Sequence, residues 1–165
     1  MKIQSTKFKD LKIISSPVYK DNRGHFREIF KQSFFLKKKF VFTCVSSSKK
    51  NVLRGMHLQT KFPQGKFLSV LKGKVLDVVV DLRKNSKTYG KHFKIILSEK
   101  NGKHLFVPRG FAHGILGLDK ENILHYACSN YRDSKSEVSI KWNDTDLKIN
   151  WGVKRPIISK KDKFA

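Results

Sequence analysis

Short segments rich in Val, Ile, Leu and Phe recur along the chain, and clusters of Gly, Asn, Asp, Ser and Lys separate them. Segments of this length and spacing predict an all-β sandwich or barrel. Two tripeptides supply turn chemistry between them, Lys72-Gly73-Lys74 and Lys100-Asn101-Gly102. Helix is predicted only over residues 32–39. The predicted strands cover residues 11–14, 26–30, 40–45, 51–59, 66–71, 74–82, 93–97, 104–107, 115–118, 123–127 and 138–142.

No internal repeat, low-complexity tract or Pro/Gly/Ser-rich linker interrupts this series. A chain of 165 residues has the length of one ordinary domain and can bury a real core. We therefore expect a single domain over residues 1–165. Its last part, from about residue 152, is expected to be an irregular basic tail.

The charge balance suggests an anionic partner. Thirty-six Lys and Arg residues stand against thirteen Asp and Glu, which leaves a formal net charge of +23. The lysines are spread along the chain in short runs such as 37–39 and 160–161, with no long basic tail, which disfavours nucleic acid as the partner. The amino terminus lacks an apolar signal region and no run of eighteen apolar residues occurs, so we expect a cytoplasmic protein without membrane contact.

Only two cysteines are present, Cys44 and Cys128. They form no CxxC motif and no Cys/His pair at zinc spacing, so neither a disulfide framework nor a structural metal is expected. Reduced thiols fit this pattern best.

The segment NVLRGMHLQ, residues 51–59, carries the clearest chemical signal. It places Arg54 three residues before His57 in a stretch that is otherwise typical of a strand. Because histidine carries protons near neutral pH and arginine is a fixed cation, this pair indicates chemistry on an anionic substrate.

The chain resembles the dTDP-4-dehydrorhamnose 3,5-epimerase family over roughly residues 12–162. The resemblance rests on many blocks in the same order: DNRGHFRE (21–28), NVLRGMHLQ (51–59), QGK (64–66), GKVLDVVVDLRKNSKTYGK (73–91), PRGFAHG (108–114), the YACSNY segment from 126, WNDTDLKINW (142–151) and SKKD (159–162). It implies a cupin-like jelly roll that pairs as a homodimer by exchanging strands. It also implies a cofactor-independent epimerase acting on a nucleotide-diphospho-4-keto-6-deoxy sugar, at C3, C5 or both.

The resemblance to a cupin raises the question of a metal. Metal-binding cupins usually present two histidines one residue apart, followed by a glutamate and a later histidine. Here His57 is followed by Leu58 and Gln59, and only His113 occupies the later position. We therefore expect no metal ligation.

The family resemblance assigns four catalytic residues. It implies that His57 is the base and that Asp162 accepts a hydrogen bond from its other ring nitrogen. It implies that Tyr126 is the proton donor, with Tyr131 as a nearby rival. Lys66 matches a lysine that faces the C4 keto oxygen, where a cation would stabilise an enolate.

The same resemblance implies a substrate-binding set. Arg23, Arg54 and Lys161 match positions on or near the diphosphate, and His113 matches a histidine that lines the sugar pocket. The remaining members match residues around the base or elsewhere in the binding site: Phe26, Glu28, Gln59 and Glu137. Asp77 lies on a strand of alternating pattern and is interpreted as a buried hydrogen-bond acceptor rather than a catalyst.

Three positions depart from the family pattern. Phe42 and Cys44 stand where dTDP-binding members usually carry glutamine and asparagine, and Arg132 aligns with a tyrosine that often packs against the nucleotide. The nucleotide, the exact sugar and the number of inverted carbons therefore stay open. Two alternatives stay open as well: a single-site epimerase or ketoisomerase on a related nucleotide sugar, and a non-catalytic cupin that binds an anionic ligand.

Overall fold

The computed structural model describes residues 1–35 and 39–164, and this part of the chain contains thirteen strands and two very short helices. The helices are a 3-10 helix at Gln32–Phe35 and α1 at Lys160–Lys163. The strands are β1 (Lys2–Ser5), β2 (Lys12–Ser15), β3 (Tyr19–Asp21), β4 (Gly24–Phe26), β5 (Phe42–Lys49), β6 (Leu53–Gln59), β7 (Lys66–Lys72), β8 (Lys74–Asp81), β9 (His92–Ser98), β10 (Lys103–Val107), β11 (Phe111–Gly117), β12 (Glu121–Cys128) and β13 (Glu137–Ser139).

Two antiparallel sheets form a jelly roll. One sheet has the strand order β1-β2-β10-β7-β12-β5, and the other has the order β13-β6-β11-β8-β9. Buried side chains from both sheets interlock between them, such as Leu68 and Leu124 from the first and Val79 and Ile115 from the second. This core confirms the predicted cupin-like all-β fold.

The outer face of each sheet is also covered by apolar side chains. Phe35, Phe67 and Phe106 form a buried cluster with Phe30 and Phe40 packed against it. A second cluster places Trp151 against the five-stranded sheet through Met56 and Leu116. Since apolar residues are needed on both faces, the strands read as nearly continuous apolar runs.

The predicted strand over residues 26–30 is largely wrong, because β4 ends at Phe26. The residues that follow are held by side chains rather than by a strand ladder. Ser16 Oγ donates to the Glu28 carbonyl at 2.7 Å, and Ser69 Oγ donates to the Ile29 carbonyl at 2.7 Å. Strands β1 and β3 had no clear sequence signal because they are short and exposed.

The helix prediction over residues 32–39 is met only by the 3-10 helix Gln32–Phe35, and residues 36–38 lie outside the described part of the chain. The tail was expected to be irregular, yet it ends in α1. Ser159 explains this helix, because its hydroxyl accepts a hydrogen bond from the Asp162 backbone N–H at 3.1 Å and caps the first turn. Within residues 1–35 and 39–164, no helix has the length and hydrophobicity needed to cross a membrane.

Candidate active site

A cavity of about 760 Å³ opens between the two sheets. Strand β6 and its neighbour β11 supply one wall, strands β5, β7 and β12 supply the facing wall, and the chain from Ile157 to Asp162 closes one side. Most of the residues predicted to be functional meet here. Those that line the cavity are Arg54, His57, Gln59, Lys66, His113, Tyr126, Glu137, Lys161 and Asp162.

His57 and Asp162 form a short polar contact in the cavity. His57 Nε2 lies 2.6 Å from Asp162 Oδ1, and Asp162 is only 4% exposed. With the ring proton on Nε2, the histidine donates to the carboxylate and leaves the lone pair of Nδ1 available to take a proton. Nδ1 lies 4.0 Å from Glu137 Oε1, which is too far for a hydrogen bond.

The tail is docked so that Asp162 reaches a strand more than one hundred residues earlier. Ile157 forms a parallel bridge with Val52, and its backbone N–H donates to the Asn51 carbonyl at 2.8 Å. Lys161 Nζ then pairs with Glu137 Oε1 at 2.6 Å. These contacts fix the segment that leads into Asp162.

Glu137 lines the cavity and forms ion pairs with two cationic side chains. Arg132 Nε lies 3.2 Å from its Oε2, while Lys161 holds its Oε1. Burial alone would raise the pKa of Glu137, but the Lys161 hydrogen bond, together with the His57 and Arg132 interactions, holds that pKa below its usual value. Glu137 is therefore a carboxylate at neutral pH.

Lys66 begins β7 and extends its amine into the cavity. Burial lowers its pKa, and the nearby Cys128 and Glu137 partly offset this shift. Within the described residues its amine has no ion pair in the structure. When protonated, this amine is free to pair with an oxyanion that enters the cavity.

Tyr126 lies on β12, in the sheet opposite His57. Burial raises the pKa of its phenol, and the hydrogen bond with Ser46 only partly counters that effect. The Ser46 hydroxyl lies 3.2 Å from the Tyr126 hydroxyl. Tyr126 is therefore protonated at neutral pH and can act as a donor.

His113 is the direct cross-strand partner of His57 in the β6–β11 pair. Its Nε2 lies 3.0 Å from Asp77 Oδ2, so Asp77 is the buried acceptor that the sequence indicated. Gly55 allows these strands to approach, because a Cβ there would come within 2.6 Å of Gly114 Cα. The two histidines thus share one closely packed pair of strands.

Arg54 and Gln59 line the cavity with most of their polar atoms already engaged. Arg54 donates to Ser48 Oγ and to the Ser47 carbonyl, both at 2.9 Å. Gln59 Nε2 donates to the carbonyls of Phe62 and Tyr131, and the Asp133 N–H donates to Gln59 Oε1. Gln59 thereby positions the loop that carries Tyr131 and Arg132.

Three predicted substrate-binding residues lie outside this cavity. Arg23, Phe26 and Glu28 belong to or follow the β3–β4 hairpin, and none of them is among the lining residues. Arg23 is 85% exposed and Phe26 is 67% exposed. Arg23 pairs with Asp21 of the same hairpin, at 2.6 Å.

Tyr131, the rival to Tyr126 as proton donor, is 70% exposed and stacks on Phe42 with ring centroids 5.8 Å apart. Sequence reasoning missed two residues that shape the site: Ser46, which contacts Tyr126, and Ser159, which caps the helix that carries Asp162. Only the strand register of Ser46 and the loop position of Ser159 could have pointed to them. Within residues 1–35 and 39–164, no three His, Cys, Asp or Glu side chains are grouped so that they could hold a metal ion.

A jelly roll whose cavity combines a histidine–carboxylate pair with a cationic lysine and a protonated tyrosine defines a cupin-like enzyme equipped for proton transfer. A family model described as dTDP-4-dehydrorhamnose 3,5-epimerase matches residues 5–165. The chain belongs to this family.

Individual relatives agree with the family match. The chain is 42% identical over 158 residues to the dTDP-4-dehydrorhamnose 3,5-epimerase of Methanothermobacter thermautotrophicus, which covers 92% of this chain and 85% of the relative. The crystal structure of dTDP-4-dehydrorhamnose 3,5-epimerase from Elizabethkingia anophelis NUHP1 is similar as well, with a TM-score of 0.91 and 42% sequence identity. The match covers 100% of this chain and 94% of that one. A Legionella pneumophila dTDP-6-deoxy-D-glucose-3,5-epimerase in complex with dTDP-4-keto-L-rhamnose is 39% identical, with a TM-score of 0.94 and coverage of 99% and 90%.

Proposed function

We propose that this protein is a cofactor-independent epimerase that inverts C3 and C5 of a dTDP-4-keto-6-deoxy sugar in deoxysugar biosynthesis. The observation that carries this proposal is the contact between His57 and Asp162 in the same cavity as Lys66 and Tyr126. Family membership and the ligand of the Legionella relative support the choice of substrate. The high positive charge suits a diphosphate ligand.

In the proposed reaction, His57 removes a C–H proton from a carbon beside the C4 keto group. The resulting imidazolium is stabilised by the Asp162 carboxylate, 2.6 Å away. Negative charge moves to the keto oxygen as the enolate forms. Lys66 is the cation that stabilises this charge, and the partly dry cavity strengthens the interaction.

Inversion requires that the proton return from the opposite side of the sugar. His57 and Tyr126 belong to different sheets that face each other across the cavity, which supports these two roles. The raised pKa of Tyr126 keeps the phenol protonated until the enolate carbon takes its proton. Ser46 orients the phenol through their hydrogen bond.

For the diphosphate we propose Arg54 and Lys161, with His113 lining the sugar pocket. The base would lie near Phe42, Cys44 and Arg132, which line the same cavity. Because these are the positions that depart from the family pattern, nucleotides other than dTDP belong in the substrate panel. A cytoplasmic location is part of the proposal, since nucleotide-diphospho sugars are made there.

We further propose a homodimer in which the β3–β4 hairpin completes the cavity of the second copy. Tyr19 and Phe26 stack on each other at the hairpin surface with ring centroids 6.4 Å apart, and both are exposed. An exposed aromatic pair beside Arg23 is typical of an interface rather than of a free surface. Such a dimer would bring Arg23, Phe26 and Glu28 to a substrate. Each copy of residues 1–165 would still act as one domain, because its own tail supplies Asp162.

The test is NMR of dTDP-4-keto-6-deoxyglucose in heavy water with the purified protein. With the parent protein we expect loss of both the C3 and the C5 proton signals. With His57→Ala we expect neither signal to be lost. Loss at one carbon only would identify the single-site alternative. Suppose that a panel of nucleotide sugars showed no exchange and that His57→Ala bound them with the same affinity as the parent protein does. The protein would then be a binding cupin and the proposal would fail.

A further inference from the structure

Both cysteines of the chain lie in the wall of the candidate active site. In the β5–β12 ladder, Cys44 lies opposite Tyr126, and Cys128 lies opposite Phe42. Tyr126 and Cys128 are two residues apart on one strand, so they share a face of the sheet. Cys44 and Cys128 are therefore diagonal neighbours on the face that lines the cavity.

The two thiols differ in accessibility, as an attacking thiol and a resolving thiol do. Cys44 is exposed, whereas Cys128 is buried. The Cys44 thiol is a close polar neighbour of the Cys128 thiol, and burial raises the pKa of Cys128 to about 12. Cys44 is thus the thiol that an oxidant meets first, and Cys128 remains a protonated, buried thiol beside it.

The local backbone permits the two sulfur atoms to come together. Diagonal neighbours on one face of a sheet have Cα atoms roughly 7–8 Å apart, whereas a disulfide usually needs less than about 7 Å. Among the described residues, strand β5 is the outer strand of its sheet and pairs with β12 alone. An inward movement of this outer strand by about 1 Å would close the gap.

We infer that Cys44 and Cys128 form an oxidation site that closes to a disulfide across β5 and β12 when the protein meets hydrogen peroxide. The Cys44 sulfur attacks one peroxide oxygen, the O–O bond breaks, and Cys44 becomes a sulfenic acid while water leaves. The Cys128 sulfur then attacks the Cys44 sulfur, the S–O bond breaks, and a second water leaves with the Cys128 proton. Two thiols and one peroxide thus give one disulfide and two waters.

The bridge lies among the proposed catalytic residues. Lys66 carries a charge close enough to act on both thiols, and Tyr126 is the cross-strand partner of Cys44. Drawing Cys44 toward Cys128 changes the β5–β12 spacing beside Tyr126. Oxidation should therefore stop proton exchange until a dithiol restores it, a consequence that rests on the proposed epimerase function.

The test begins with disulfide mapping, which does not depend on the reaction. The full-length protein is treated with hydrogen peroxide, blocked with N-ethylmaleimide and mapped by mass spectrometry without reduction. We expect the two blockable thiols to fall to none, a mass lower by two hydrogen atoms, and one peptide pair joined through Cys44 and Cys128. Oxygen adducts on Cys44 with Cys128 still blockable, or a disulfide between two copies, would overturn the inference.

The second part measures proton exchange before oxidation, after oxidation and after dithiothreitol. We expect at least a tenfold loss on oxidation and recovery on reduction in the parent protein, and no oxidant-dependent loss in Cys44→Ser. Cys128→Ser should instead accumulate oxygen adducts on Cys44. Mapping of the parent protein decides the inference even if a variant fails to fold. A mapped disulfide in a protein that shows no exchange would leave the site in place and contradict only the proposed reaction.

Discussion

At the scale of single residues, the site depends on charges held in places where water is scarce. Asp162 is buried, and it is held in place by the contact with His57 and by the capped turn that carries it. Lys66 is kept in the cavity without an ion pair in the described chain. Both arrangements cost stability and are typical of sites where charge develops during a reaction.

Asp162→Asn should lower the rate of proton exchange by about 10²–10⁴-fold, because an amide neither fixes the His57 tautomer nor stabilises the imidazolium. The measurement is the initial rate of C3 and C5 wash-out by NMR. Asp146→Asn, at an exposed aspartate outside the cavity, is the matched control and should keep the parent rate. An unchanged rate in Asp162→Asn would remove Asp162 from the mechanism.

Lys66→Met should lower the exchange rate by about 10²–10³-fold, which corresponds to ~3–4 kcal/mol of lost enolate stabilisation. Methionine keeps much of the length of the side chain but carries no charge. Lys72→Met is the control, since Lys72 ends the same strand outside this cavity, where it pairs with Glu121. Equal effects of the two substitutions would show that net charge, not the position of Lys66, controls the rate.

At the scale of strands, the close approach of β6 and β11 sets the distance between His57 and His113. Gly55 has φ +123°, and an added Cβ would meet the His113 carbonyl oxygen at 2.7 Å. Gly90 also has positive φ, at +71°, but a Cβ added there would have no neighbouring atom within 4 Å. Alanine at Gly55 would therefore meet both crowding and a φ far from the left-handed region that other residues adopt, whereas alanine at Gly90 would meet neither obstacle to that degree.

Gly55→Ala should therefore cost about 1–3 kcal/mol more in the free energy of unfolding than Gly90→Ala, because only the first forces the strands apart. Urea unfolding followed by fluorescence measures both. Equal losses in the two variants would mean that the strands relax without cost.

Strand β10 carries a buried histidine that makes folding sensitive to pH. His104 is fully buried, and its Nε2 lies 2.9 Å from Ser16 Oγ. Burial and the charge of Arg27 lower its pKa to about 4. The folded state therefore keeps a neutral ring over a range in which the unfolded chain, with a pKa of about 6.5, takes up a proton.

Between about pH 4 and pH 6.5 the unfolded state binds more protons at His104 than the folded state does. The contribution of His104 to the free energy of unfolding should therefore be fully present above about pH 6.5, and it should fall by up to about 3 kcal/mol as the pH drops toward about 4. His125, whose pKa is also lowered by burial, acts in the same direction. Urea unfolding at pH 7 and pH 5 measures the difference. His104→Gln should show a smaller decrease, and an undiminished one would assign the effect to other groups.

At the scale of the whole molecule, the position of the β3–β4 hairpin divides the predicted residues into two sets. One set meets in the cavity of the chain itself, and the other is exposed on the hairpin. If two copies complete each other, inactive variants from the two sets should complement each other in one dimer.

Arg23→Ala and His57→Ala should each be nearly inactive alone, whereas a hybrid dimer of the two, isolated by two affinity tags, should recover about half of the parent activity. One of its two cavities then combines an intact His57 with an intact Arg23 from the other copy. A hybrid no more active than its parents would place Arg23 outside the shared site. Light scattering that shows a monomer would contradict the dimer itself.

The sequence predicted the strands that are buried on both faces, such as β7, β8 and β12, because long apolar runs report burial directly. It was less successful for residues 26–30, where contacts from Ser16 and Ser69 replace strand pairing. Contacts between residues far apart in the chain leave no local pattern. Strands β1 and β3 carry no apolar signal for a different reason, because they are short and exposed.

The amino-acid sequence supplies the side chains that carry the chemistry: one histidine near an arginine, a lysine, a tyrosine and a late aspartate, in the order of blocks that places the chain in its family. Folding brings Asp162 to His57 across 105 positions, Ser46 to Tyr126, and Cys44 to the diagonal of Cys128. The sequence specifies which side chains are present. It does not by itself give the distances between them, because those distances arise only when sheet register and the docked tail bring remote residues together.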